Sequence, residues 1–146
     1  MLVPLDDPDD PRLAEFRLHE RGLTNRADKR DDAGAGMFLA EGDLVVARAL
    51  DAGCRPHLGL ADGARLPDVA RRLAEHVDVF VGGESMRQRV TRLGAPQPVI
   101  ALFHRPPRPA AAELATRCRR LVVVEGVDNP VNIGGIVRNA AGLGWD

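Results

Sequence analysis

The sequence predicts an α/β protein: a layered α/β domain, then the first βα unit of a second domain. Three observations predict it. From residue 37 to residue 103, short apolar runs alternate with segments whose apolar residues recur at helical spacing. The cluster Arg105-Pro106-Pro107-Arg108-Pro109 then stops the alternation, because prolines forbid a continuing strand and stiffen the backbone. After it, the β-branched run Leu121-Val122-Val123-Val124-Glu125 and an amphipathic stretch start the pattern again.

Taken in order, residues 1–10 carry Asp6, Asp7, Asp9 and Asp10 and read as a loose acidic leader. Residues 11–21 suit a short helix with Pro11 at an early position and Leu13, Phe16 and Leu18 as anchors. Residues 22–36 are polar and charged, so 1–36 is a leader helix and flexible linker. Met37-Phe38-Leu39-Ala40 suits a buried strand, and Asp43 is placed to cap a helix that Gly53 ends. Arg55–Leu60 is a second strand, and Pro67 opens a helix to about His76. Val77–Val81 is the clearest strand of the first half. Gly82-Gly83 leads into a helix near Glu84–Leu93, and Val99–Phe103 is the last strand. Repeated alternation implies helices covering a largely parallel sheet over residues 37–104, with 105–109 as linker. Beyond it, a helix spans about Ala110–Cys118, Leu121–Glu125 is a strand buried on both faces, and Asn132 opens the closing helix. One βα unit is not a domain, so residues 110–146 are expected to be incomplete and loosely packed.

Composition constrains function less. The chain has 146 residues, 45% of them hydrophobic, which is enough for a core. A net charge of -1 gives no global basic field. Basic charge is nearly all arginine, with Lys29 the single lysine, and arginine's planar fork suits phosphate. Cys54 and Cys118 lie far apart without metal or redox spacing, and His19, His57, His76 and His104 form no ligand pair, so no metal is expected. No uninterrupted apolar stretch reaches membrane-spanning length and no secretory signal opens the chain, so the cytoplasm is the expected location. Aromatic residues make up 3% and tyrosine is absent, which argues against a platform of stacked bases.

The informative stretch is Val124–Ala140. A buried strand would deliver the chain to the carboxyl edge of a sheet, where α/β ligand sites lie. Asn132 can cap the following helix, whose free N–H groups favour an anion. Gly134 and Gly135 allow close approach, and Arg138 can reach back to hold a phosphate with two hydrogen bonds. Neither the dinucleotide fingerprint nor the phosphate-loop pattern is met.

The run Glu125-Gly126-Val127-Asp128-Asn129-Pro130-Val131-Asn132-Ile133-Gly134-Gly135-Ile136-Val137-Arg138-Asn139-Ala140 resembles the first signature motif of the SpoU/TrmH methyltransferases, N-P-x-N-x-G-x-x-x-R-x-A, at every fixed position. Phe38-Leu39-Ala40-Glu41-Gly42 resembles the F-x-x-E-G opening of the family's RNA substrate-binding domain, a three-layer α/β domain similar to ribosomal proteins that bind kinked RNA. Residues 95–101 resemble its last strand. The resemblance implies methyl transfer from S-adenosylmethionine to a ribose 2′-hydroxyl in rRNA or tRNA, by a homodimer with an α/β-knot catalytic domain that begins at residue 110. It makes Arg138 and Asn132 the catalytic residues, with Glu125 and Gly134 supporting their loop. A guanidinium offers donors and no acceptor, so Arg138 is expected to position and neutralise rather than to act as a base. The family's second and third motifs, which build the knot and the cofactor pocket, are absent, so this chain is expected neither to bind S-adenosylmethionine nor to turn over.

Arg87, Arg89 and Arg92 share a helix, and with Arg105 and Arg108 they could line an RNA groove, although a solvated helix face is the plainer account. Two rival readings stand beside the methyltransferase: a non-catalytic RNA-binding protein, and an unrelated nucleotide-binding α/β protein. A drug-resistance rRNA methylase has the same two-domain plan and is not separated from the first reading.

Overall fold

The computed structural model describes residues 1–18, 36–107 and 109–145. The chain forms two compact units, Met1–Arg108 and Pro109–Asp146.

The first unit is built on a five-stranded sheet. Its strands are β1 (Leu2–Pro4), β2 (Met37–Glu41), β3 (Pro56–Asp62), β4 (Val79–Gly82) and β5 (Val99–His104), in the order β1-β4-β3-β5-β2. Among the described residues four helical elements cover it: a 3-10 helix (Pro11–Arg17), α1 (Asp43–Asp51), α2 (Asp68–Ala74) and α3 (Glu84–Thr91). Strand periodicity divides the core between the two faces. Leu58, Leu60, Phe80, Ile100 and Leu102 meet Leu13, Phe16 and Val90 of the 3-10 helix and α3. Ala40, Ala61, Val79, Val99, Ala101 and Phe103 meet Val46, Ala49, Val69, Ala70 and Leu73 of α1 and α2. Gly59 permits this second layer to close: a Cβ there would stand 2.6 Å from Leu73 Cδ2 and 2.8 Å from Val79 Cγ2.

Three expectations need correction. The acidic start is not a loose leader. β1 pairs in parallel with β4, Leu5 is buried, and Asp10 caps the 3-10 helix by accepting from Arg12 N at 2.9 Å. Apolar residues too few to announce a strand suffice because a ready-made edge receives them. The rest of the expected linker, residues 19–35, lies outside the described residues. Second, the sheet is mixed rather than largely parallel: β5 runs antiparallel to both β3 and β2. The cause lies after α3, a helix only about 12 Å long at 1.5 Å per residue. Arg92 turns left-handed at φ 59°, and Arg87 holds the returning main chain at Pro96 and Gln97, close to Asp62 at the end of β3. β5 therefore enters the sheet from the end where β3 leaves it.

The third correction concerns the second unit. It contains α4 (Ala111–Arg117) and α5 (Pro130–Gly142), but Leu121–Glu125 is not a strand, and its four apolar side chains are exposed. A buried strand must satisfy its N–H and C=O groups through neighbours, and no described strand pairs with this run. No described helix is long and apolar enough to cross a membrane.

Candidate functional site

The motif of the second unit starts a helix, but by a different residue from the one expected. Asn129, not Asn132, is the cap: its Oδ1 accepts from Val131 N at 2.8 Å, and Pro130 occupies the first helical position, where a missing N–H costs nothing. Asn132 therefore sits in the first turn, where its own N–H points out of the positive end of the helix. Arg138 folds back one turn over Gly134. A Cβ at Gly134 would stand 3.5 Å from Arg138 Nη1, so the glycine provides the bed on which the guanidinium lies. Asn132 and Arg138 line one open hollow with Val127, Val131, Ile136 and Asn139. Glu125 stays on the exposed loop outside that hollow, before Gly126, whose φ of 65° turns the chain. The structure thus brings together Asn132, Gly134 and Arg138 and leaves Glu125 apart. An amide at a helix start beside a guanidinium favours a phosphate or another anion.

The five arginines proposed for RNA do not form one groove. Arg87 is only 2% exposed and serves the fold. Its Nη1 donates to Gln97 O at 2.7 Å and Pro96 O at 3.3 Å, and its Nη2 pairs with Asp62 Oδ2 at 3.3 Å. A guanidinium enclosed in this way cannot reach a nucleic acid, so Arg87 leaves the list of candidate RNA contacts. Arg89 is exposed on α3, with Asp9 Oδ2 at 3.8 Å. Arg92 and Arg105 line one cleft of about 520 Å³ beside β2, together with Arg17 and Glu41. Arg108 lies outside the described residues.

That cleft is the part the sequence did not announce. Its apolar wall comes from Phe16 of the 3-10 helix, Met37 and Leu39 of β2, and Leu93 in the loop after α3, which are distant in sequence. Arg17 was also missed: it donates to Pro8 O and pairs with Asp9 Oδ1 at 3.0 Å. Arg105 Nε donates to Met37 O at 3.1 Å, tying the lip of the cleft to the edge strand. At the other end of β2, Glu41-Gly42 turns the chain into α1, and Gly42 takes φ 88°, which explains why a glycine stands there. Asp43 is consequently the first helical residue, not the cap.

Known proteins align with nearly the whole chain. The chain is 36% identical over 150 aligned positions to an uncharacterized tRNA/rRNA methyltransferase of Mycobacterium tuberculosis, and equally to one of Mycobacterium bovis. That alignment covers 96% of this chain and 48% of each relative. It is 28% identical over 119 positions to the 23S rRNA (guanosine(2553)-2′-O)-methyltransferase RlmP of Bacillus subtilis, covering 81% of this chain and 45% of that protein. Nearly its whole length is thus similar to part of proteins described as tRNA/rRNA methyltransferases. It spans about half the length of the curated relatives it matches. No family model matches it. The fold is also that of solved structures. An AdoMet-bound rRNA methyltransferase from Sinorhizobium meliloti superposes with a TM-score of 0.64 at 24% identity, over 99% of this chain and 52% of that one. An RNA 2′-O ribose methyltransferase superposes with a TM-score of 0.60 at 22% identity, over 99% and 53%.

Proposed function

We propose that this chain is part of a cytoplasmic, homodimeric enzyme of the SpoU/TrmH family that methylates a ribose 2′-hydroxyl of rRNA or tRNA. One observation carries the reading. In a chain aligned almost throughout with methyltransferases, the N-P-x-N-x-G-x-x-x-R-x-A residues start a capped helix with Asn132 and Arg138 on one hollow.

S-adenosylmethionine supplies an electrophilic methyl group in such a reaction. The residues of this chain do not fit that cofactor: neither α4 nor α5 has a buried side chain, and the hollow over α5 has no walls to enclose an adenosine. What this chain offers is orientation. A guanidinium offers donors and no acceptor, so Arg138 would hold a phosphate or ribose oxygen rather than act as the base. The Asn132 N–H adds a second donor to the same anion. Fixing the ribose in this way removes orientational freedom before reaction. The first unit would hold the rest of the RNA through the exposed Arg89 and Arg92, with the half-buried Arg105 beside Arg92 in the cleft, reading phosphate and shape rather than sequence. Glu125 and Gly134 would support the loop and the bed of Arg138.

The open hollow favours a second reading, a non-catalytic RNA-binding protein. Ribose methylation protects the adjacent phosphodiester from alkaline cleavage, so rRNA and tRNA from cells making the wild-type protein or Arg138→Ala separate the two. The enzyme reading expects one protected position to lose its methylation by roughly a hundredfold, the effect of removing one well-placed donor. Unchanged protection at every position would overturn it in favour of RNA binding alone.

A further inference from the structure

The acidic start of the chain does more than lead out of an edge strand. Leu5 and Pro8 are buried, Asp9 N donates to Asp7 Oδ1 at 2.8 Å, and Asp10 caps the 3-10 helix, so the segment is held on both sides of Asp9. The Asp9 carboxylate is exposed and turns one oxygen to each of two guanidiniums from different elements. Oδ1 lies 3.0 Å from Arg17 Nη2 of the 3-10 helix, and Oδ2 lies 3.8 Å from Arg89 Nη2 of α3. Arg17 also donates to Pro8 O, which fixes its guanidinium independently of Asp9. The contact with Arg89 is too long for a hydrogen bond, and both of its groups are mostly open to water, so it adds little to the stability of the fold. Two arginines converging on two oxygens of one anion are also the arrangement that grips a phosphate. Basic charge continues along this surface, since Arg17 and Arg92 line the same cleft.

We propose that Arg17 and Arg89 form a seat for one phosphodiester of the RNA, and that Asp9 fills this seat when no RNA is bound. The carboxylate is a built-in competitor, which an entering phosphate must displace. Displacement is feasible because an exposed ion pair is weak, and because a phosphate held by arginines releases counterions. An RNA that touches the surface at this one point leaves Asp9 in place. An RNA already docked elsewhere on the unit presents its next phosphate at high effective concentration and takes the seat. Asp9 thereby filters loose electrostatic encounters in favour of RNA that fits the surface at several points. The inference rests on the RNA-binding reading of the first unit and adds the residue that opposes it.

The test uses the full chain and a short fluorescein-labelled RNA stem-loop, with binding followed by anisotropy at low salt. Asp9→Asn removes the charge but keeps the size of the side chain and the main-chain contact with Asp7. Asp6→Asn removes the same charge from an exposed residue of the same segment. Circular dichroism verifies that the variants fold. Asp9→Asn should tighten binding about fivefold, the scale of one exposed ion pair released. Asp6→Asn should change it by under about twofold, through the general field alone. The gain should vanish when Asp9→Asn is combined with Arg89→Ala, because both substitutions act on one seat. No gain from Asp9→Asn, an equal gain from Asp6→Asn, or a gain that persists without Arg89 overturns the inference while leaving RNA binding intact. Absence of RNA binding in both the wild-type chain and Asp9→Asn overturns both.

Discussion

Two apolar runs of nearly the same chemistry meet opposite fates in this molecule. Val99-Ile100-Ala101-Leu102-Phe103 becomes β5, flanked on both sides by strands and fully buried. Leu121-Val122-Val123-Val124 stays irregular, with Val123 89% exposed. The second run is the richer in β-branched residues, so β propensity does not decide between them. Neighbours do. β5 exchanges main-chain hydrogen bonds with β3 and β2 and packs its alternate side chains against helices on each face. The run in the second unit has neither service among the described residues. A sequence pattern states what a segment can become, and the surrounding chain determines whether it does.

The largest expected effect tests that contrast directly. Phe103 is fully buried and stacks on Phe38 with ring centroids 5.5 Å apart. Phe103→Ala should destabilise the chain by roughly 3–5 kcal/mol through lost transfer energy and a cavity. Val123→Ala should stay within about 0.5 kcal/mol, as expected of an exposed site. Urea unfolding monitored by circular dichroism gives both values. Equal losses in the two variants would mean that residues 121–124 are packed in solution, and the contrast would collapse.

Arg87 supplies the next effect and shows where sequence reading stops. The alternation from Met37 to Phe103 exposed four strands and three helices of the first unit with small boundary errors, because period and punctuation are local signals. Arg87 looked like one of three arginines on a solvated face, since it shares one helix with Arg89 and Arg92. Its partners, Asp62, Pro96 and Gln97, are brought by tertiary folding and leave no periodic trace. The cap of α5 was hidden differently: Asn129 and Asn132 are equally good caps by residue type, and only the proline between them points to the earlier one. The edge strand β1 was invisible because three residues carry no period. Arg87→Ala leaves Asp62 and two carbonyls without their cation and should cost about 3 kcal/mol, as breaking a buried ion pair does. Arg89→Ala, on the same helix, should cost little, since exposed pairs contribute under about 1 kcal/mol. A small loss at Arg87 would return it to the surface and to the candidate RNA contacts.

The smallest effect is a matter of pH within the first unit. His104 closes β5, with the His57 ring edge-on at 5.1 Å. Burial lowers its pKa below the ordinary 6.5, Arg55 and His57 lower it further, and Glu15 opposes them. A histidine whose folded pKa is depressed binds its proton more readily unfolded, so its contribution is fully present above pH 6.5 and is lost as pH falls from there through the folded value. Glu15 Oε2 lies 2.5 Å from His57 Nε2, so the carboxylate that would welcome a proton on His104 is already engaged by its neighbour. Acidification should therefore loosen the junction of β3, β5 and the 3-10 helix first, and His104→Asn should flatten that part of the stability profile between neutral and mildly acid pH. Urea midpoints measured across that interval, with residues 121–124 as the insensitive reference in hydrogen exchange, would show it. An unchanged slope in His104→Asn would assign the acid sensitivity of the first unit to its carboxylates instead.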